Sequence, residues 1–138
     1  MCSRFLLVIP VMQLSMGTVH AADTIEGRWI TEDKKAEVTI RQCGAIVCGR
    51  VTQILVPTPK GPPVDEYNPD PKLRDRPILG LSILNEFRDR GTNWVGTIYS
   101  PEEGATYRSL LRRNPDGTLN VRGCIFFLCR SQTWQPSR

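Results

Sequence analysis

The residues able to do chemistry in this chain are few, and the first fact about them is an absence. The single histidine is His20, inside an N-terminal stretch that reads as a leader. With the leader removed, Ser-His-Asp and Cys-His nucleophiles, histidine-ligated metals and c-type haem attachment are excluded. No G-x-S-x-G, P-loop or G-x-G-x-x-G occurs. Carboxylates alone can still run acid–base chemistry, as they do in glycosidases. Glu102 and Glu103 are adjacent, however, and on a strand they would face opposite ways, so they read as a solvated turn. Asp65, Glu66, Asp70 and Asp75 offer the oxygen ligands that calcium takes. Their spacing is not that of an EF-hand, and Arg74 and Arg76 lie among them, so ion pairs holding the segment in place are expected. No catalytic residue, metal ligand or cofactor is assigned, and a non-enzymatic protein is expected.

Cys43, Cys48, Cys124 and Cys129 remain beyond the leader, and an even count in an exported chain points to two disulfides with three possible connectivities. Alternation puts Thr39, Arg41 and Cys43 on one strand face, and Cys48 shares the polar face of the returning strand with Arg50 and Thr52. That favours a local Cys43–Cys48 bridge near a hairpin tip, and by analogy Cys124–Cys129. Loops this short stabilise by roughly 2 kcal/mol each in the chain-entropy model. Free thiols or a metal are the alternatives, but C-x4-C is not the spacing of thioredoxin-like motifs, and a four-cysteine zinc site needs closer ligands.

Two sets of side chains suit binding. Arg74-x-Arg76, with Tyr67, Asn68 and Asp70 beside them, could fork an anionic group; fixing the segment is the alternative use. Trp29, Trp94 and Tyr99, with Trp134, Tyr107, Phe126 and Phe127, could line a pocket or simply fill a core. Phe126-Phe127, between two cysteines, would sit at a hairpin tip, where exposure would indicate contact with a partner or a membrane surface. Arg112-Arg113, before a turn, read as solvated.

Strands must position these groups. No helical period of useful length is present, whereas strand signals recur at the spacing of an all-β sandwich or barrel. They run over residues 26–31, 36–43, 47–56, 82–88, 94–100, 107–113, 119–122 and 129–135, about eight strands joined by short antiparallel connections. Asn114-Pro115-Asp116-Gly117 is a strong turn. The exception is Pro57–Leu81, which holds seven of the eleven prolines. Within it, Asp70 would cap one helical turn with Pro71 at its first position. A loop this long in a compact domain is functional or disordered.

Met1–Ala21 has the form of a secretory signal peptide: Arg4, an apolar run from Phe5, and Val19-His20-Ala21 at the cleavage site. The run is too short, and too interrupted, to span a ~30 Å membrane core. The mature chain, residues 22–138, is read as one domain, in the periplasm or outside the cell. The formal charge of +4 among 138 residues, spread along the chain, is no nucleic-acid footprint.

Gly27-Arg28-Trp29, Cys43-Gly44, Cys48-Gly49-Arg50-Val51, Asn68 to Pro77, Leu79-Gly80-Leu81, Trp94-Val95-Gly96, Ile98-Tyr99, Tyr107, Val121 to Cys124 and Ser131 to Trp134 form a recognisable set. Together they resemble an uncharacterised family of exported bacterial proteins, domain of unknown function 2147. The resemblance covers nearly the whole mature chain and implies a small lipocalin-like, up-and-down barrel. It implies no established activity. Gly27-x-Trp29 also resembles the opening of lipocalins, where the Trp closes one barrel end under an Arg from a late strand; Arg122 or Arg130 would take that part here. The expected function is binding of a small molecule at one barrel mouth under the long loop. The alternative is a filled barrel acting as an envelope interaction module.

Overall fold

The computed structural model describes residues 21–138 and, before them, Pro10, Gly17 and Thr18. The signal-peptide reading therefore lies outside the described residues except at those three positions and Ala21. Eight strands follow one another around a closed antiparallel barrel: β1 (Gly27–Ile30), β2 (Ala36–Cys43), β3 (Ile46–Ile54), β4 (Ser82–Asp89), β5 (Trp94–Ser100), β6 (Ala105–Arg113), β7 (Leu119–Ile125) and β8 (Leu128–Pro136). Each strand pairs with its sequence neighbour, and β1 closes the ring against β8. The closure is narrow: only Trp29 and Ile30 pair across it, with Pro136 and Gln135. No helix among the described residues is long and apolar enough to cross a membrane.

The inside of the ring follows from the register. Residues directly opposite in an antiparallel pair share a face. Trp94, Leu111, Val121 and Gln132 form one row around the wall; Gly96, Ser109, Gly123 and Arg130 form the next. Leu111 and Val121 belong to the core, so both rows point inward. The buried cluster also takes Val38 and Ile40 from β2, Val47 and Val51 from β3, Leu84 and Phe87 from β4, and Trp134 from β8. Gly96 is needed for this packing, since a Cβ there would come within 2.8 Å of the Phe87 ring.

One end of the barrel is plugged. Residues 22–26 run across it, with Ile25 fully buried. Trp29 Nε1 donates to the Ile25 carbonyl at 3.0 Å, and Trp94 Nε1 to the Asp23 carbonyl at 2.9 Å. Arg113 stacks over the Trp29 ring, 5.0 Å from its centroid, and donates to the Thr24 and Glu26 carbonyls. The arginine that packs the lipocalin-type tryptophan is thus Arg113 of β6, not Arg122 or Arg130, and it is not simply solvated. Arg122 neighbours the inward Val121 and Gly123, so alternation turns it outward, while Arg130 lies a row further up the wall.

The two bridges are local, Cys43–Cys48 across the β2–β3 hairpin and Cys124–Cys129 across the β7–β8 hairpin. The helical turn forms as a 3₁₀ turn over Pro71–Leu73, where the Asp70 carboxylate accepts from the Lys72 amide.

Candidate functional site

Two concavities flank the open half of the barrel, and the wall separates them. The inner one is a mouth of about 510 Å³. Ile98, Val121, Gly123, Tyr107, Arg130 and Gln132, from the inward rows of β5 to β8, wall it, and Ile125 and Leu128 form its lip. Apolar and polar side chains alternate around it: Ile98, Val121, Ile125 and Leu128 with Tyr107, Arg130 and Gln132. The Tyr107 hydroxyl donates to the Glu103 carboxylate, and that bond holds the phenol above its ordinary pKa, so Tyr107 stays neutral. Gly123 keeps the mouth open: a Cβ there would meet Ile98 and Tyr107 only at ordinary contact, 3.8 and 3.9 Å, so side-chain volume at this position would project into the cavity. Ser109, in the same row as Gly123, is fully buried, and its hydroxyl has no hydrogen-bond partner among the described residues.

The outer concavity, about 630 Å³, lies between the barrel wall and the long loop. Tyr99 sits between Ile98 and Ser100, which line the inner mouth, so alternation turns it outward. The loop closes over it through Asp65, which is completely buried. Asp65 accepts from the Tyr99 hydroxyl at 2.6 Å, from the Asn68 amide at 2.8 Å and from Arg76 Nε at 2.8 Å. Burial pushes its carboxyl pKa up, but these three donors outweigh burial and hold it below the ordinary value. For Tyr99, burial and the bond to Asp65 raise the phenol. Arg76 also lies 5.7 Å from the Tyr99 ring centroid. The backbone of Gly104 fits directly beneath the Tyr67 carbonyl, with no room for a Cβ. The result is a strap fastened to the outside of the barrel.

The family model described as "Uncharacterized protein conserved in bacteria (DUF2147)" matches residues 27–136, the whole of the barrel. The chain belongs to the DUF2147 family. A solved structure similar to this DUF2147 barrel is that of protein HP1028 from Helicobacter pylori, described as belonging to the lipocalin family. The two are 19% identical, the match covers 83% of this chain and 84% of that one, and the TM-score is 0.74. That likeness establishes a lipocalin-like fold. No curated protein matches the sequence.

Placed on the DUF2147 barrel, the residues singled out for binding divide into two groups. Asn68, Arg76 and Tyr99 meet at the outer cleft. Arg74 donates to the Asn68 carbonyl, Asp70 caps the 3₁₀ turn, and Tyr67 is exposed. Trp29 and Trp94 lie at the plugged end, away from both concavities. The long loop contributes no residue to the inner mouth. A mouth under the long loop is therefore corrected: Tyr99 faces outward, and the loop follows it. Among the acidic residues of the loop, Asp65 forms the expected ion pair with Arg76. Sequence reasoning missed Gly123, Arg130 and Gln132 as mouth residues. Their alternation with Cys124, Cys129 and Ser131 was readable, but which face turns inward follows only from the pairing with β6.

Proposed function

We propose that this DUF2147 protein is an exported, non-enzymatic binder that takes a small amphiphilic molecule into the open half of its barrel. One observation carries the reading: the inner mouth combines an apolar lining, Ile98, Val121, Ile125 and Leu128, with a few polar side chains, Tyr107, Arg130 and Gln132. An eight-stranded barrel is just wide enough for one small ligand, and ligand pockets of ~300–1,000 Å³ with few polar groups are the common kind. A ligand with an apolar body and a small polar head matches this lining, which holds Arg130 together with Glu102 and Glu103. Export rests on the leader sequence, and two disulfides are compatible with an oxidising compartment. The Ala22 nitrogen adds support, lying 3.1 Å from both carboxylate oxygens of Asp89. Cleavage after Ala21 would make it a cationic α-amine at ion-pair distance.

Native mass spectrometry of the protein taken from an oxidising periplasm, without refolding, tests the reading. The expected result is extra mass that dissociates on activation, and uptake of the apolar fluorophore N-phenyl-1-naphthylamine once the mouth is empty. A bare protein that also fails to take up the fluorophore would overturn it.

A further inference from the structure

The β7–β8 hairpin carries the most exposed large apolar side chains among the described residues. Its two-residue tip is Phe126-Phe127, 92% and 89% exposed, flanked by Leu128 at 70% and Ile125 at 54%. Four consecutive apolar side chains thus stand in solvent, although neither Phe covers anything in the chain. Phe126 is held at φ 53°, a region costly for a bulky residue and ordinarily given to Asn or Gly in two-residue hairpins. The Cys124–Cys129 bridge closes the hairpin immediately below, so the tip cannot fold back to hide itself. Local strain and exposed aromatics without internal compensation mark a surface shaped by an external contact.

The charge around the tip identifies the contact. Among the arginines of β6 to β8, Arg108, Arg122 and Arg130 lie nearer the tip, whereas Arg112 and Arg113 lie toward the plugged end. Arg108 and Arg122 are exposed on the outer face of those strands, and Arg130 stands at the mouth rim. Of the acids near the tip, Glu102 pairs with Lys35, while Glu103 accepts from Tyr107 and Glu32 from the Thr133 amide. An apolar tip with cationic flanks is the pattern that lies in a lipid interface over anionic headgroups.

We infer that the Ile125–Leu128 hairpin tip is a membrane-contact element, which inserts Phe126 and Phe127 among the acyl chains of an anionic lipid surface while Arg108, Arg122 and Arg130 face the headgroups. Ile125 and Leu128 belong both to the tip and to the mouth lip, so docking brings the mouth to the bilayer surface. If the mouth is occupied as proposed above, its ligand is then one that partitions into lipid. The docking itself does not depend on that reading.

The test is sedimentation of the oxidised protein with vesicles of phosphatidylcholine, pure or mixed with equal phosphatidylglycerol. Binding is expected to the mixed vesicles, weakened about tenfold on pure phosphatidylcholine and by added salt. Phe126→Asp/Phe127→Asp should lower partitioning at least tenfold, because burial of both rings among the acyl chains is lost. The same variant should keep the circular dichroism and fluorophore uptake of the parent, so loss of docking and loss of ligand binding are told apart. Phe127→Trp should bind like the parent and shift its added fluorescence to the blue on vesicles. Absence of vesicle binding by the parent, or equal binding by the aspartate variant, would overturn the inference. So would an unshifted Phe127→Trp spectrum, and capture of one protein through the tip without lipid binding would reassign it to a protein partner.

Discussion

The two ends of the barrel are built from the same strands to opposite specifications. At the plugged end both tryptophans are partnered: Trp29 by Ile25 and Arg113, Trp94 by Asp23. At the open end Phe126 and Phe127 are bare, Ser109 lacks a partner among the described residues, and side-chain volume is missing at Gly123. One end obeys the rules of stability, and the other departs from them in several independent ways. Departures clustered in one place, beside a cavity, are what a binding end looks like in physical terms.

Substitutions at the two ends should therefore differ in kind. The largest effect belongs to the plug. Trp29→Ala removes a fully buried indole and should cost about 3–5 kcal/mol in urea unfolding, with little change in ligand affinity where the protein stays folded. A strong affinity loss with stability preserved would place Trp29 in the binding site and break the contrast.

The strap comes next. Asp65→Ala leaves three donors without their acceptor and should cost about 3 kcal/mol. The parent should show the matching pH dependence. The folded-state pKa of Asp65 is lowered, so its contribution is complete above the ordinary value near 3.8 and is lost as pH falls through the depressed folded value. Acid titration of parent and Asp65→Ala should converge at low pH, and a constant gap would refute the assignment.

Effects inside the mouth should fall on affinity alone. Gly123→Leu fills the mouth and should weaken uptake of N-phenyl-1-naphthylamine about tenfold or more, with stability within about 0.5 kcal/mol. The smallest effect has the opposite sign. Phe126→Gly should raise stability by up to about 1 kcal/mol, because glycine adopts a positive φ freely and no burial is lost. Destabilisation instead would mean that the Phe126 ring supports the fold.

Much of the fold was legible because alternation is a local property. The eight strands, both hairpin bridges and the Asp70 cap depend on neighbours a few residues apart. What was not legible depends on closure. Arg113 reaches Trp29 because the ring brings β6 across from β1, a proximity that no spacing encodes. The path of the long loop was equally hidden: it turns on the outward face of Tyr99, and a single step of register would have sent it over the mouth. Of the candidate site, Asn68, Arg76 and Tyr99 do come together, but outside the barrel. The inner mouth rests on Gly123 and Arg130, whose inward orientation follows only once β7 and β8 are paired with β6.

The narrow seam between β1 and β8 has a consequence for how the molecule comes to be. Trp29 meets Pro136 and Ile30 meets Gln135, residues about a hundred positions apart, whereas every other strand pair is joined by a short turn or one loop. Neither disulfide shortens that distance, because each links residues only five apart. Closing the ring therefore carries nearly the whole chain's loop entropy for two ladder pairs, and it belongs at the end of folding. Burial of Trp29, followed by its fluorescence, should be the slowest phase of refolding, with the same rate whether the two bridges are formed beforehand or not.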